Sequence, residues 1–387
     1  MIQKICVVTG SRADYGLLRP LLVQIRKNRQ LHLQLVVTGS HLSPRYGNTW
    51  REIAQDGFHI HHKVKIGSAG DSEEGVAHSA GQALTRLSRL FCRIRPDAIV
   101  LLGDRYEMLA AAFAALICRI PLMHIHGGET SEGAIDEAIR HAITKMSHLH
   151  FVSTPAYRRR VIQLGEAPRR VFVVGALGLD GLCNQKLLAR EDLEKKLGLK
   201  LAKKNLLVTF HPVTLSPRES QRQMRELLAA LHRMKDTAII FTMPNADMES
   251  VGLFRMIRKF VRAHPQAKAY RSLGRVAYLS CLRHAHAVVG NSSSGILEAP
   301  SFRRPTVNVG DRQKGRIQAP SIINCSPRRG KIFAALERAT SGAFLKKISG
   351  VKNPYDRGGA AGKIMKVVLR QNKKIPLKKR FYDLGCA

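Results

Sequence analysis

AIVLLGDRYEMLAAAFAALICRIPLMHIHGGETSEGAIDEAIRHAITK, residues 98–145, runs twice from an apolar strand through a short polar loop into a helix. Ala98–Leu102 is wholly apolar and stops at Gly103-Asp104-Arg105, after which Arg105–Cys118 reads as an Ala-rich helix, apolar around most of its surface. Strands without polar alternation are buried on both faces, the habit of parallel sheets covered by helices. Leu122–Ile125 is the next such strand. It ends at His126-Gly127-Gly128-Glu129, and the helix Ile135–Met146 follows, with Asp136 and Arg140 on one face at i, i+4. Open parallel sheets bind ligands outside the carboxyl ends of their strands, so Asp104, His126, Glu129 and Asp136 are expected to gather. Carboxylates beside Arg140 and a histidine suit acid/base work on a bound substrate. The competing reading is structural, with Asp104 as a helix cap and Asp136 with Arg140 as a stabilising ion pair. Capping alone accounts poorly for two neighbouring strand ends that both supply acids, a histidine and paired glycines.

Working outward, 387 residues with 44% hydrophobic and 24% charged side chains are enough for two soluble domains with full cores. No apolar run approaches the ~20 residues of a membrane span, so no membrane partner is expected. The cysteines (Cys6, Cys92, Cys118, Cys183, Cys281, Cys325, Cys386) are odd in number, scattered and mostly in apolar surroundings, which reads as reduced thiols and a cytoplasmic location. The balance of 64 Lys plus Arg against 28 Asp plus Glu, +36 overall, invites a nucleic-acid reading. The basic residues are spread along every helix, however, no recognition module is present, and aromatic residues are only 6%. An anionic substrate is the better reading, with no specific nucleic acid.

In chain order, the strand Ile5–Thr9 enters the small-residue loop Gly10–Gly16 and the helix Leu17–Asn28, a geometry that can hold an anion, with Arg12 adding formal charge. The G-x-G-x-x-G fingerprint is absent, which argues against a dinucleotide cofactor. His59, His61 and His62 alternate in a strand-like segment without carboxylate or cysteine partners, and no metal is expected there. Strands and helices alternate to the strand Val171–Val174, and the same grammar resumes from Asn205. The expected fold is α/β, two Rossmann-like domains facing across a cleft: an N-terminal domain over 1–176, a C-terminal domain over 177–365, and a solvated basic tail over 366–387. In the second half, Leu206–Phe210 ends at His211-Pro212-Val213-Thr214. Ala287–Val289 ends at Gly290-Asn291-Ser292-Ser293-Ser294-Gly295-Ile296, with Glu298 a turn further on. Free N–H groups, hydroxyls and a helix dipole there make a pyrophosphate cradle, with Glu298 facing ribose hydroxyls. The loop Asn308–Arg316, including Arg312, is basic enough to close over phosphates.

Arg12-Ala13-Asp14-Tyr15, Gly39-Ser40-His41-Leu42, Tyr46-Gly47-Asn48-Thr49, Gly103-Asp104-Arg105, His124–Glu129, Ile139–Lys145, His211–Thr214, Gly290–Gly295 and Arg312-Gln313, taken in order, resemble the hydrolysing UDP-N-acetylglucosamine 2-epimerases of sialic acid biosynthesis. The resemblance implies the GT-B fold, a nucleotide-sugar substrate, no cofactor and a homo-oligomer (dimer or tetramer). It implies Asp104 and Asp136 as reacting carboxylates, and Arg12, His211, Asn291, Ser292, Ser293, Ser294, Gly295, Glu298 and Arg312 around the nucleotide. Relatives often carry Glu at the position of His126, which leaves the role open between His126 and Glu129. The family reaction expels UDP, forms a glycal by loss of the C2 proton, and hydrates it to the 2-epimer. UDP-N-acetylglucosamine giving N-acetylmannosamine is the first expectation. UDP- or GDP-N,N'-diacetylbacillosamine is the alternative, and a GT-B glycosyltransferase or a polyanion binder are rivals of other kinds.

Overall fold

Apolar runs separated by helices become buried strands, and the strands assort into two parallel sheets. The computed structural model describes residues 3–67, 72–182, 185–213, 219–244, 249–371 and 375–385. Thr214, Cys183, Cys386 and Lys373 lie outside them. One unit comprises Met1–Glu129, Ile135–Gly181 and Arg357–Ala387, and the other Thr130–Ala134 and Leu182–Asp356.

The first unit holds seven strands: β1 (Gln3–Thr9), β2 (Leu31–Val37), β3 (His62–Lys63), β4 (Ala98–Leu102), β5 (Leu122–Ile125), β6 (Leu149–Val152) and β7 (Val171–Val173), in the order β3-β2-β1-β4-β5-β6-β7. Side chains alternate across a strand, so Ile5 and Val7 enter one core while Cys6 and Val8 enter the other. The helices Arg12–Lys27 and Ala360–Arg370 cover the first core, and Glu73–Ile94 and Tyr106–Ile117 the second. The second unit holds β8 (Lys204–Thr209), β9 (Thr237–Thr242), β10 (Ala267–Tyr270), β11 (Ala287–Gly290), β12 (Thr306–Val309) and β13 (Ile322–Cys325), ordered β10-β9-β8-β11-β12-β13. The short strand β13 was not anticipated. In each sheet the chain winds outward from one central strand, then returns to its other side. That reversal puts a ligand-binding crevice at the carboxyl ends of β1 and β4 and, in the second unit, of β8 and β11.

Two expectations need correction. The first helix begins at Arg12, not Leu17, because Ser11 caps it by accepting from Asp14 N at 3.3 Å. The supposed loop therefore shrinks, and Arg12 stands in the helix's first turn. The C-terminal segment is neither part of the second unit nor a solvated tail. Ala360, Ile364, Met365, Val368 and Ile375 complete the core of the first unit. The Asp180 carboxylate receives Ala360 N and Ala361 N at 2.7 and 2.5 Å, capping the incoming helix. Beyond it, His148 Nε2 donates to Leu377 O at 3.1 Å, and Lys379 Nζ donates to Glu166 at 2.7 Å.

Glu166 is buried, and its remaining partners are Lys145 Nζ at 2.8 Å and His150 Nε2 at 3.0 Å. Burial alone would raise its carboxyl, but these three hydrogen bonds outweigh it and bring it down to about 2 from an ordinary 4.5. A carboxyl depressed on folding stabilises the native state fully above the ordinary value and loses that contribution as pH falls toward the depressed one. About 3 kcal/mol should therefore disappear between pH 4.5 and 2, at roughly 1.4 kcal/mol per unit. In Glu166→Gln, urea unfolding followed against pH should show a visibly shallower loss across this window. An unchanged slope would mean that the strap is not held by this charge.

Candidate active site

Four residues meet at the ends of β4 and β5. Arg140, only 1% exposed, sends Nε to Asp104 Oδ2 at 2.8 Å, with Nη2 on the same oxygen, and Nη1 to Glu137 Oε2 at 2.6 Å and to Glu129 O at 2.7 Å. Burial alone would favour a neutral guanidinium, but the facing carboxylates Asp104, Glu129 and Glu137 reverse the balance and hold it charged. Asp104 and Glu137 keep 21% and 25% of their side chains exposed, so their free edges face outward while the guanidinium holds them from behind. His141 Nε2 lies 3.2 Å from Glu137 Oε1. Asp136 opens the helix Asp136–Met146 and is partly exposed. Arg140 thus reaches sideways to Asp104 and Glu137, partners that the i, i+4 spacing of Asp136 and Arg140 did not announce. Glu137 was missed, because one more acid in the first turn of a helix reads as a favourable end charge.

The loop that carries Asp104 is fixed from below. His124 is fully buried, with Nε2 2.8 Å from Gly103 O and Nδ1 3.2 Å from Thr144 Oγ1. Burial pushes it down to about 3, so the neutral ring donates to the carbonyl that precedes Asp104. Beside it, Glu107 is wholly buried and accepts from Arg105 Nε at 2.8 Å, and Gly10 is pressed against it closely enough that a Cβ there would stand 2.6 Å from Glu107 Cγ. Asp14 is buried near these charges, and burial pushes its carboxyl up to about 7.

His126 and Glu129 occupy each other. His126 adopts a left-handed φ of 69°, with Nδ1 3.0 Å from Glu129 Oε1, while Nε2 accepts from Leu177 N at 3.4 Å. Glu129 Oε1 also accepts from Ser153 Oγ at 3.0 Å, and Glu129 is 1% exposed. Both ring nitrogens are thus engaged and the carboxylate is enclosed, while the Glu129 carbonyl joins the pair to Arg140.

In the second unit the crevice is built around Asn291. Its Oδ1 accepts from His211 N at 2.7 Å and its Nδ2 donates to His211 O at 2.9 Å, tying the end of β11 to that of β8. Gly290 makes this possible: its φ is +126°, and a Cβ there would lie 1.9 Å from Thr209 O. Arg312 Nη1 and Gln313 Nε2 both donate to Asn291 O, at 3.2 and 2.9 Å. Ser292 caps a helix of only five residues, Ser293–Leu297. Its binding capacity therefore rests on local N–H groups and hydroxyls more than on a long helix dipole. Glu298 Oε2 accepts from Ser294 Oγ at 2.6 Å, and Ser294 also meets Tyr278 Oη. Burial raises the Glu298 carboxyl. Gly295 packs under β12, where Thr306 Oγ1 donates to its carbonyl at 2.8 Å.

Among the described residues no group of three or more His, Cys, Asp or Glu is arranged to hold a metal ion, the His59–His62 stretch included. No helix among them is long and apolar enough to cross a membrane.

Residues 23–369 match the family model described as UDP-N-acetylglucosamine 2-epimerase. The chain is 41% identical over 384 residues, 99% of both chains, to a GDP/UDP-N,N'-diacetylbacillosamine 2-epimerase (hydrolyzing) from Campylobacter jejuni. It is 39% identical, over 99% of this chain and 98% of the other, to the polysialic acid biosynthesis protein P7 of Escherichia coli. A UDP-N,N'-diacetylbacillosamine 2-epimerase (hydrolyzing) of Legionella pneumophila is 38% identical over 89% of this chain and 91% of its own. Among solved structures, the fold is similar to that of the Neisseria meningitidis UDP-GlcNAc 2-epimerase bound to UDP-GlcNAc, with a TM-score of 0.80, 15% identity, and coverage of 95% of this chain and 100% of that one. The two parallel-sheet units are those of the GT-B-like fold, and the chain belongs to the UDP-N-acetylglucosamine 2-epimerase family.

Proposed function

We propose that the protein is a hydrolysing 2-epimerase of UDP- or GDP-N,N'-diacetylbacillosamine. The observation that carries the substrate is the 41% and 38% identity to two enzymes named for that sugar, one of them over 99% of both chains. The sequence alone had put UDP-N-acetylglucosamine first, and these relatives support the alternative better. The second reading keeps some support from a Neisseria meningitidis UDP-N-acetylglucosamine 2-epimerase, 34% identical over 88% of both chains.

The reaction begins as the anomeric C–O bond breaks and the nucleoside diphosphate leaves with the bonding electrons. Asn291, the hydroxyls of Ser292–Ser294, Arg12, His211 and Arg312 supply the donors and positive charge that this leaving group requires. A carboxylate, Asp104 or Asp136, then takes the C2 proton and the sugar becomes a glycal. Water adds across the double bond, hydroxyl to C1 and proton to the opposite face of C2, giving the free 2-epimer. Arg140 holds the Asp104 carboxylate in place through Nε and Nη2 on one oxygen, with Glu137 sharing the guanidinium. Each step is a proton transfer or the departure of a good leaving group, so no oxidant or reductant is called for. A homodimer or homotetramer, cytoplasmic, is the assembly proposed with it.

Parallel incubations with UDP-N-acetylglucosamine, UDP-N,N'-diacetylbacillosamine and its GDP form, followed by proton NMR in heavy water, test this reading. The expected product is a free diacetamido sugar, inverted and deuterated at C2. Turnover of UDP-N-acetylglucosamine alone would shift the substrate to the second reading, and retained hydrogen at C2 would exclude the glycal route. Glu298→Ala should weaken binding of the free nucleoside diphosphate about tenfold or more, because a charge-assisted hydrogen bond contributes roughly 1.5–3 kcal/mol. Unchanged affinity in calorimetry would remove Glu298 from the nucleotide site.

A further inference from the structure

Two cysteines that this chemistry does not use lie against each other in the first unit. Cys92 stands in the last turn of the helix Glu73–Ile94, Cys118 at the C-terminal cap of the helix Tyr106–Ile117, and their Sγ atoms are 2.9 Å apart. A disulfide bond is about 2.05 Å long, so closure asks for a movement of under ~1 Å. The backbone at both positions is already clamped by one residue. Arg95 Nε donates to Cys92 O at 3.1 Å and Arg95 Nη1 to Cys118 O at 3.3 Å. Arg95 reaches both because it ends its helix in a left-handed conformation, φ 42°. Its guanidinium holds the two helix ends together. The two sulfurs are not equivalent: Cys92 is exposed, whereas Cys118 is buried, with Sγ–H directed at Ser88 O, 3.4 Å away. Burial, and then its neighbour Cys92, push the Cys118 thiol up to about 11, which leaves Cys92 as the point of entry.

We propose that Cys92 and Cys118 form a modification site, closing to an intrachain disulfide when the protein meets a low-molecular-weight disulfide such as oxidised glutathione. The Cys92 thiolate attacks one sulfur of the oxidant, forming a mixed disulfide and expelling a thiolate that takes up the proton Cys92 lost. Cys118 then loses its proton and attacks Cys92 Sγ, releasing the second small thiol. Two protein thiols are oxidised and one small disulfide is reduced to two thiols. The helix between Asp104 and the new bond has 12 residues. At 1.5 Å per residue the staple lies about 18 Å along the axis from Asp104, so it modifies the protein without occupying the Asp104–Arg140 cluster.

The test uses the full chain, folded, incubated with oxidised glutathione, then acid-quenched, alkylated and mapped by mass spectrometry. The expected result is a peptide pair joined through Cys92 and Cys118 within one chain, two hydrogens lighter than the reduced pair and free of glutathione. Cys118→Ser should stop at one glutathione on Cys92. Cys92→Ser, at an exposed position where folding is not at stake, should leave Cys118 unmodified. Glutathione that persists on Cys92 of the wild type, a Cys92 bridge between chains, or both thiols recovered free would overturn the proposal.

Discussion

Replacing Arg140 by methionine is expected to lower the unfolding free energy by about 3 kcal/mol and to abolish turnover, the most damaging single change at the site. Methionine fills much of the same volume but leaves Asp104, Glu137 and the Glu129 carbonyl without the guanidinium they share. Breaking a buried ion pair from one side costs about 3–5 kcal/mol because the abandoned charges keep their desolvation. The low end applies here, since Asp104 and Glu137 retain 21% and 25% exposure. The urea midpoint of the variant measures the loss. Combining the change with Asp104→Asn separates this account from a cavity effect, because the added cost of Arg140→Met should fall when one of the orphaned charges is already neutral. Equal costs in both backgrounds would mean that the guanidinium serves only as packing.

The second large effect expected is catalytic. Asp104→Asn preserves shape and its place beside Arg140 but removes one of the two carboxylates proposed to take the C2 proton, so turnover should fall by about 10²–10⁴-fold, the usual worth of a positioned general acid or base. Binding of the nucleoside diphosphate should stay within about twofold, because the groups proposed for it, apart from Arg12, belong to the other unit. Calorimetry and NMR turnover on one preparation supply both numbers. A folded variant that has lost nucleotide affinity would take Asp104 out of the reaction.

Much of this was legible in the chain. Unbroken apolar runs such as Ala98–Leu102 can only be strands buried on both faces, and their polar ends fix where chemistry stands. What stayed hidden depends on distance in space. Glu137 drew no reading from the sequence, and its place shows only where Arg140 reaches both it and Asp104. The partners of His126, Leu177 N and the Glu129 carboxylate on its two nitrogens, could not be read from the string. Lys379 looked solvated because its partner, Glu166, is more than two hundred residues away. The start of the first helix was misplaced by five residues because a Gly-Ser-Arg-Ala-Asp string reads as a loop, while Ser11 accepting from Asp14 N is a helix start. Cys92 and Cys118, 26 apart in sequence, gave no spacing signal.

Because Ala360–Arg370 completes the core built on β1, the two units cannot mature in the order in which their first residues leave the ribosome. Residues 182–356 form an almost continuous stretch and can fold as they emerge. The first unit, begun earlier, must wait with its core open for the segment after Arg357 to be synthesised. During that interval Leu18, Leu21 and Leu22 lack their final cover. The unit proposed to cradle the nucleotide is thus finished while the carboxylates proposed for the reaction still sit on an incomplete scaffold, and premature termination anywhere between 182 and 356 leaves a first unit with its apolar core uncovered.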